Sequence, residues 1–379
     1  LISSPLQALL EEGAAQGIFP SARAVVIREG RTVFDGGVSA LPETRYDLAS
    51  LTKVMATTAV FLHLWDEGHL SPTTRLDRLL PGAAAAAGGT TLADLLYHRS
   101  GLPAFEPLFA AALRAHPELT AACPSSVRAA ARAEVVAAAQ ALPQVTPRGQ
   151  TMVYSDVGFI VLGEALAAAA QQPLDAFFVE HVASPLELIA HFRRLSAAQP
   201  DEPCAETGQT RPREPAPGQE SLWEPLAAGP ARGGEVDDDN AWAMDGVAGH
   251  AGLFGTARDV AHFGQAVLEE LDGANRLASA SFWQRALAVD RQTSGSTRAM
   301  GFDTPSPPGS AEMSAAGRLM AGSTAVGHTG FTGTSLWVDL PRRLSVALCT
   351  NRTLFGRANV AIRAFRPRFH DAVVESLGP

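Results

Sequence analysis

At 379 residues, with 46% hydrophobic and 18% charged, the chain has material for a real core, which excludes a disordered or collagen-like polymer. A formal net charge of −9 argues against a nucleic-acid or anionic-membrane surface, and basic runs such as RPRE and RAFRPRF are too short to build one. No 18-residue apolar run exists, so no membrane span is expected, and a small or neutral substrate fits the balance.

Cys123, Cys204 and Cys349 are odd in number and far apart, without disulfide or zinc spacing, so no metal is expected. The chain begins at Leu1, so a secretory leader is not excluded. Both a cytoplasmic and a periplasmic or secreted location stay open, as does the oligomeric state.

In chain order, Pro5 to Ala15 reads as a helix. The segments AVVIR and RTVFD flank Glu29-Gly30 as the arms of a β-hairpin. Alanine-rich helical sequence follows: MATTAVFLHLWDEG, TTLADLLYH, SSVRAAARAEVVAAAQAL, VGFIVLGEALAAAAQQ and PLDAFFVEHVA. Thr91 with Asp94, and Thr256 with Asp259, have the N-cap and N3 spacing that satisfies free amides at helix starts. Residues 200–240 hold seven prolines and little periodicity, which predicts a long irregular loop at the rim of a site. Near the end, TSLWVDLPRRLSVALCTNR makes a second hairpin, turning at Pro341 to Arg343. No fixed-period repeat is found. The plan is α+β: an antiparallel sheet from both chain ends, flanked by helices, with a mostly helical insertion. Residues 1–65 and 245–379 form the sheet subdomain, and 66–244 the helical one.

Lys53 is the only lysine, against 29 arginines. It lies three residues after Ser50 at the start of a helix, so the two side chains share one face. A serine hydroxyl needs a neighbouring base or cation to become a nucleophile. Lysine can supply this because desolvation or a second cation lowers its pKa, whereas arginine stays protonated. A chance S-x-x-K is the competing reading, and the uniqueness of the lysine argues against it. Tyr154, one of three tyrosines, follows the turn signal TPRGQ and precedes a helical run. It is either a packed core residue or a phenol that takes and returns the serine proton. In GHTGFTGTSLWVD, His328, Thr329 and Gly330 open a strand, and Gly330 allows close backbone approach to a ligand.

SLTK, YSD and HTG, in that order and roughly 100 and 170 residues apart, resemble the signature elements of the penicillin-recognising serine hydrolases. These include class C β-lactamases, D-alanyl-D-alanine carboxypeptidases and family VIII carboxylesterases. TTLADLLYHRSGLP, GVAGHAGLFGTARDVAHF and LSVALCTNR are similar as well, so the resemblance covers most of the chain. It implies a β-lactamase/transpeptidase-like fold and no cofactor. It makes Ser50 the nucleophile, Lys53 and Tyr154 the proton-handling pair, and the Ser50 and Phe331 amides the oxyanion hole. Thr329 and Gly330 would line the strand side. Two departures bear on substrate. Asp156 stands where many members have Asn and is expected to pair with Lys53. His328 stands where β-lactamases carry Lys, and it holds a substrate carboxylate less surely.

The implied activity is hydrolysis of a small ester, amide or β-lactam through an acyl-serine, with acyl transfer as a variant. The alternative is a penicillin-binding or sensor protein that acylates without turnover; a leaving-group acid at Tyr154 favours the enzyme. No G-x-S-x-G, H-E-x-x-H, G-x-x-x-x-G-K or strand-led G-x-G-x-x-G occurs. Asp237, Asp238 and Asp239 are a cation site or, lacking EF-hand spacing, a solvated loop or helix cap. His250 faces the site or is a structural histidine. Trp223, Trp242 and Trp337 are apolar walls or core.

Overall fold

The computed structural model describes residues 3–377 apart from 87, 121–122, 199–200, 209–231, 295, 307–313 and 321–323. Much of the loop predicted over 200–240, with Trp223, lies outside the described residues.

The first hairpin forms as expected: β1 (Ala22–Arg28) pairs antiparallel with β2 (Arg31–Val38). Glu29 and Gly30 both take positive φ, 51° and 76°, the turn whose twist matches the strands. Three two-residue strands follow in the chain, β3 (Tyr46–Asp47), β4 (His191–Phe192) and β5 (Glu206–Thr207), and β6 (Arg232–Gly233) pairs with β5. With β7 (Leu253–Gly255), β3 and β4 make a small sheet in the order β3-β7-β4. Then come β8 (Val326–Thr329), β9 (Ser335–Asp339) and β10 (Leu344–Thr350). The main sheet runs β2-β1-β10-β9-β8, every pair antiparallel. The two chain ends therefore meet at β1 and β10 in its middle.

Alternation along β1 decides which core each residue enters. Ala22, Ala24 and Val26 join a core with Leu6, Leu10 and Phe369 of the terminal helices Ser3–Ala15 and Ile362–Ser376. Val25 and Ile27 join the opposite core, shared with helix Ala257–Leu271. Trp337 is buried in the first and Trp242 in the second, so both are core residues rather than cleft walls. Burying each large side chain contributes about 2–3 kcal/mol. The second core continues among helices Leu92–Leu96, Ser125–Ala141 and Asp156–Ala170. Thr91–Asp94 and Thr256–Asp259 form full capping boxes, as their spacing predicts.

Candidate active site

Strand β3 aims the chain at the site. After Asp47, Leu48 donates its amide to Leu253 O at 2.9 Å, and Ala49 sits at φ +48°. That left-handed conformation is costly for a residue with a Cβ. It is held by Asp47, whose Oδ1 accepts the Ala49 amide at 2.8 Å. The following helix opens with a π-helical turn, Lys53–Thr58, a bulge frequent at functional sites.

Lys53 is completely buried. Its ammonium donates to Ser50 Oγ at 3.0 Å, Asp156 Oδ1 at 2.7 Å and His250 O at 3.2 Å, which uses all three protons. Burial pulls its pKa down, but the charges and hydrogen bonds of Asp156 and Tyr154 outweigh it and the net direction is up. The expectation that desolvation lowers this pKa is thereby corrected, because a carboxylate 103 residues away compensates the buried charge. Asp156 opens helix Asp156–Ala170, where the helix dipole favours a carboxylate.

Tyr154 lines the same cleft as Ser50, with the Lys53 ammonium 4.9 Å from its ring centre. Among the described residues no direct Ser50–Tyr154 hydrogen bond forms, and the Lys53 ammonium that bonds Ser50 Oγ lies beside the Tyr154 ring. Such contacts often tighten only with substrate bound. His98 clasps this tyrosine. Its carbonyl accepts the Val153 amide at 2.8 Å, its Nδ1 accepts the Ser155 amide at 3.0 Å, and its ring packs 4.7 Å from the phenol ring. Burial, then Arg298, Lys53 and His328, hold the His98 pKa well below the usual histidine value.

On the sheet side, His328 and Thr329 end β8 rather than open a strand. Gly330 to Gly333 form the turn into β9, with Gly333 donating to Gly330 O at 3.1 Å. A Cβ on Gly330 would stand 2.7 Å from Leu48 O, so this glycine lets β8 approach the Ser50 turn as well as lining the cleft. Neither the Ser50 nor the Phe331 amide has an acceptor among the described residues, the arrangement an oxyanion site needs. His328 Nδ1 donates to Thr329 O at 2.8 Å. Its pKa falls well below the usual value through burial, Arg298 and Lys53, so it carries no charge toward a substrate.

Arg298 does. It lies 5.1 Å over the Tyr154 ring and 3.6 Å from Asp303, and its buried Nε and Nη1 have no hydrogen-bond acceptor. Both Arg298 and His98 escaped the sequence reading. Arg298 sits in an aperiodic loop, and His98 lay unremarked inside the quoted TTLADLLYHRSGLP.

The loop that ends at residue 240 does reach the cleft, through Asp237 and Asp238. Asp238 caps helix Asp239–Ala243 and bonds His250 Nε2 at 2.8 Å, while Arg357 pairs with Asp237 and Asp239. The segment is thus a helix cap, with Asp237 and Asp239 buried and Asp238 partly exposed at the cleft. His250 is both structural and cleft-lining. Among the described residues no group of three or more His, Cys, Asp or Glu is placed to hold a metal. No single described helix is long and apolar enough to cross a membrane. The cleft encloses about 420 Å³.

A family model described as Beta-lactamase matches residues 6–366. An Escherichia coli (strain K12) protein named, provisionally, a D-alanyl-D-alanine carboxypeptidase is 27% identical over 86% of this chain and 73% of its own length. An N-acetylmuramyl-L-alanine amidase of Bacillus subtilis (strain 168) is 29% identical over 91% of this chain and 79% of its own. Among solved structures, an octameric penicillin-binding protein homologue from Pyrococcus abyssi superposes with a TM-score of 0.68 at 17% identity, covering 95% of this chain and 75% of that one.

Proposed function

The chain belongs to the Beta-lactamase family and is a serine hydrolase, and we propose that Ser50 is its nucleophile, acting on a small ester or amide that bears a carboxylate. The three-way bond of Lys53 to Ser50, Asp156 and His250 carries this reading. An ammonium with all its protons engaged has no lone pair for the serine proton. Lys53 therefore serves as the cation beside a Tyr154 phenolate, and that phenolate oxygen takes the proton as Ser50 Oγ attacks the carbonyl. The Ser50 and Phe331 amides receive the developing oxyanion. Tyr154 then protonates the leaving oxygen or nitrogen as the acyl bond to it breaks. Water attacks the acyl-serine with the same groups working in reverse.

Thr329 and Gly330 border the carbonyl, and Arg298, which lines the cleft beside the neutral His328, replaces a strand-borne lysine as the carboxylate anchor. The enzyme names of the relatives support turnover over mere sequestration. The test is turnover of a p-nitrophenyl ester, a cephalosporin and a D-Ala-D-Ala peptide by wild type and Ser50→Ala. Loss of roughly 10⁴-fold or more in kcat for every substrate turned over is expected. Wild-type turnover by the variant would overturn the assignment.

A further inference from the structure

We infer that Asp47 is a positioning residue: its carboxylate closes a ring of hydrogen bonds that fixes the Ser50 turn against the groups acting on the Ser50 hydroxyl. The inference rests on Ser50 being the nucleophile. Starting at the turn, Asp47 Oδ1 accepts the Ala49 amide at 2.8 Å and Oδ2 accepts the Asp237 amide at 2.7 Å. The next residue, Asp238, bonds His250 Nε2 at 2.8 Å. His250 O accepts from Lys53 at 3.2 Å, and Lys53 donates to Ser50 Oγ at 3.0 Å. A branch from the sheet side joins at the same residue, since Thr332 Oγ1 donates to Asp47 O at 2.7 Å. Asp47 thus touches the turn that sets the Ser50 amide and the turn that sets the Phe331 amide.

A purely structural role fits this residue poorly. Asp47 is 2% exposed, and among the described residues no Arg, Lys or His lies within ion-pair distance of it. A buried carboxylate without a cation is costly, and a neutral acceptor would fill the space at less cost. What Asp uniquely supplies is two acceptors on a side chain short enough to reach the amide two residues ahead. Glu is too long for that bond. Asn would turn its NH2 toward one of the two amide donors and break one arm. The charged groups facing Asp47 are Asp237 and Asp238, both of like sign, with Arg357 holding Asp237. Burial, and then these neighbours against the two amide bonds, place the Asp47 pKa at about 7. Proton uptake there removes one acceptor arm in the neutral range.

The experiment compares wild type with Asp47→Asn and Asp238→Asn, using the p-nitrophenyl ester and reading kcat, KM, the pH profile and Tm. Asp47→Asn should lower kcat roughly 10- to 100-fold, the size expected of a misplaced reacting group, with KM within about twofold. It should lack the limb near pH 7 expected of wild type, and its Tm at pH 8 should change little, since loss of one acceptor arm offsets removal of an unpaired buried charge. Asp238→Asn, which keeps the helix cap but weakens the His250 joint, should lower kcat roughly 3- to 10-fold with the pH 7 limb retained. A wild-type kcat and pH profile in Asp47→Asn overturns the inference. So does a lowered Tm with unchanged kcat per folded enzyme. If Asp47→Asn fails to fold, a wild-type kcat in Asp238→Asn overturns it. Full activity of Ser50→Ala would instead sink the reading of the site itself.

Discussion

The two walls of the cleft differ in how completely the protein satisfies them. On the helical wall, each Lys53 proton has an acceptor and Asp156 balances its charge. The backbone on both sides of Tyr154 is tied to His98. On the sheet wall, Arg298 has two N–H groups without acceptors, the Phe331 amide is unpaired, and the Phe331 side chain is 48% exposed. Buried polar groups are normally bonded. On the proposed function, the difference is a division of labour: folding alone completes the Lys53 cluster, whereas the Ser50 and Phe331 amides, one on each wall, are left for a substrate.

The sharpest way to break this contrast is Lys53→Met, which removes the cation and keeps the bulk. We expect kcat/KM to fall roughly 10³-fold or more, the scale of losing both a preorganised charge and a proton partner. Circular dichroism should stay native, since Asp156 is partly exposed and remains solvated. Retained ester turnover would show that the helical wall is not the reactive one.

Next in size is Arg298→Leu on the sheet wall. KM for carboxylate-bearing substrates should rise about 10-fold or more, equivalent to losing one charge-assisted hydrogen bond, while a neutral ester is affected less than about threefold. Equal effects on both substrates would remove Arg298 from carboxylate recognition and point to an action on Tyr154.

The smallest expected effect is on stability against pH. His98 and His328 have folded pKa values below the ordinary value. Both stay neutral in the fold while the unfolded chain takes up protons below about pH 6.5. Stability is therefore fully present above that pH and is lost as pH falls through it. Because proton uptake by Asp47 works in the opposite direction over the same range, the histidine share is read as a difference: urea unfolding at pH 7.5 and 5.5 should show a smaller loss in His328→Gln than in wild type. An unchanged pH dependence in that variant would mean that His328 titrates normally.

Much of this was legible in the sequence where chemistry restricts residue type. Ser50, YSD and HTG fall at one cleft, the unique lysine is buried behind Ser50, and both capping boxes and both hairpins form. What escaped depends on tertiary distance. The direction of the Lys53 pKa is decided by Asp156 across 103 residues. His98 acts through backbone contacts that no side-chain pattern encodes, and Arg298 gains meaning only because His328 is buried and neutral. Gly330 marks a strand end rather than a start, because the tight turn that follows lies in sequence that could equally extend as a strand.

One measurement bears most directly on the central claim. The protein is quenched during turnover of a p-nitrophenyl ester, digested with trypsin, and the mass of the peptide spanning Tyr46 to Lys53 is read. An added acyl mass on that peptide, absent in Ser50→Ala, is the expected result. An acyl group found on another peptide, with residues 46–53 unmodified, would contradict the account.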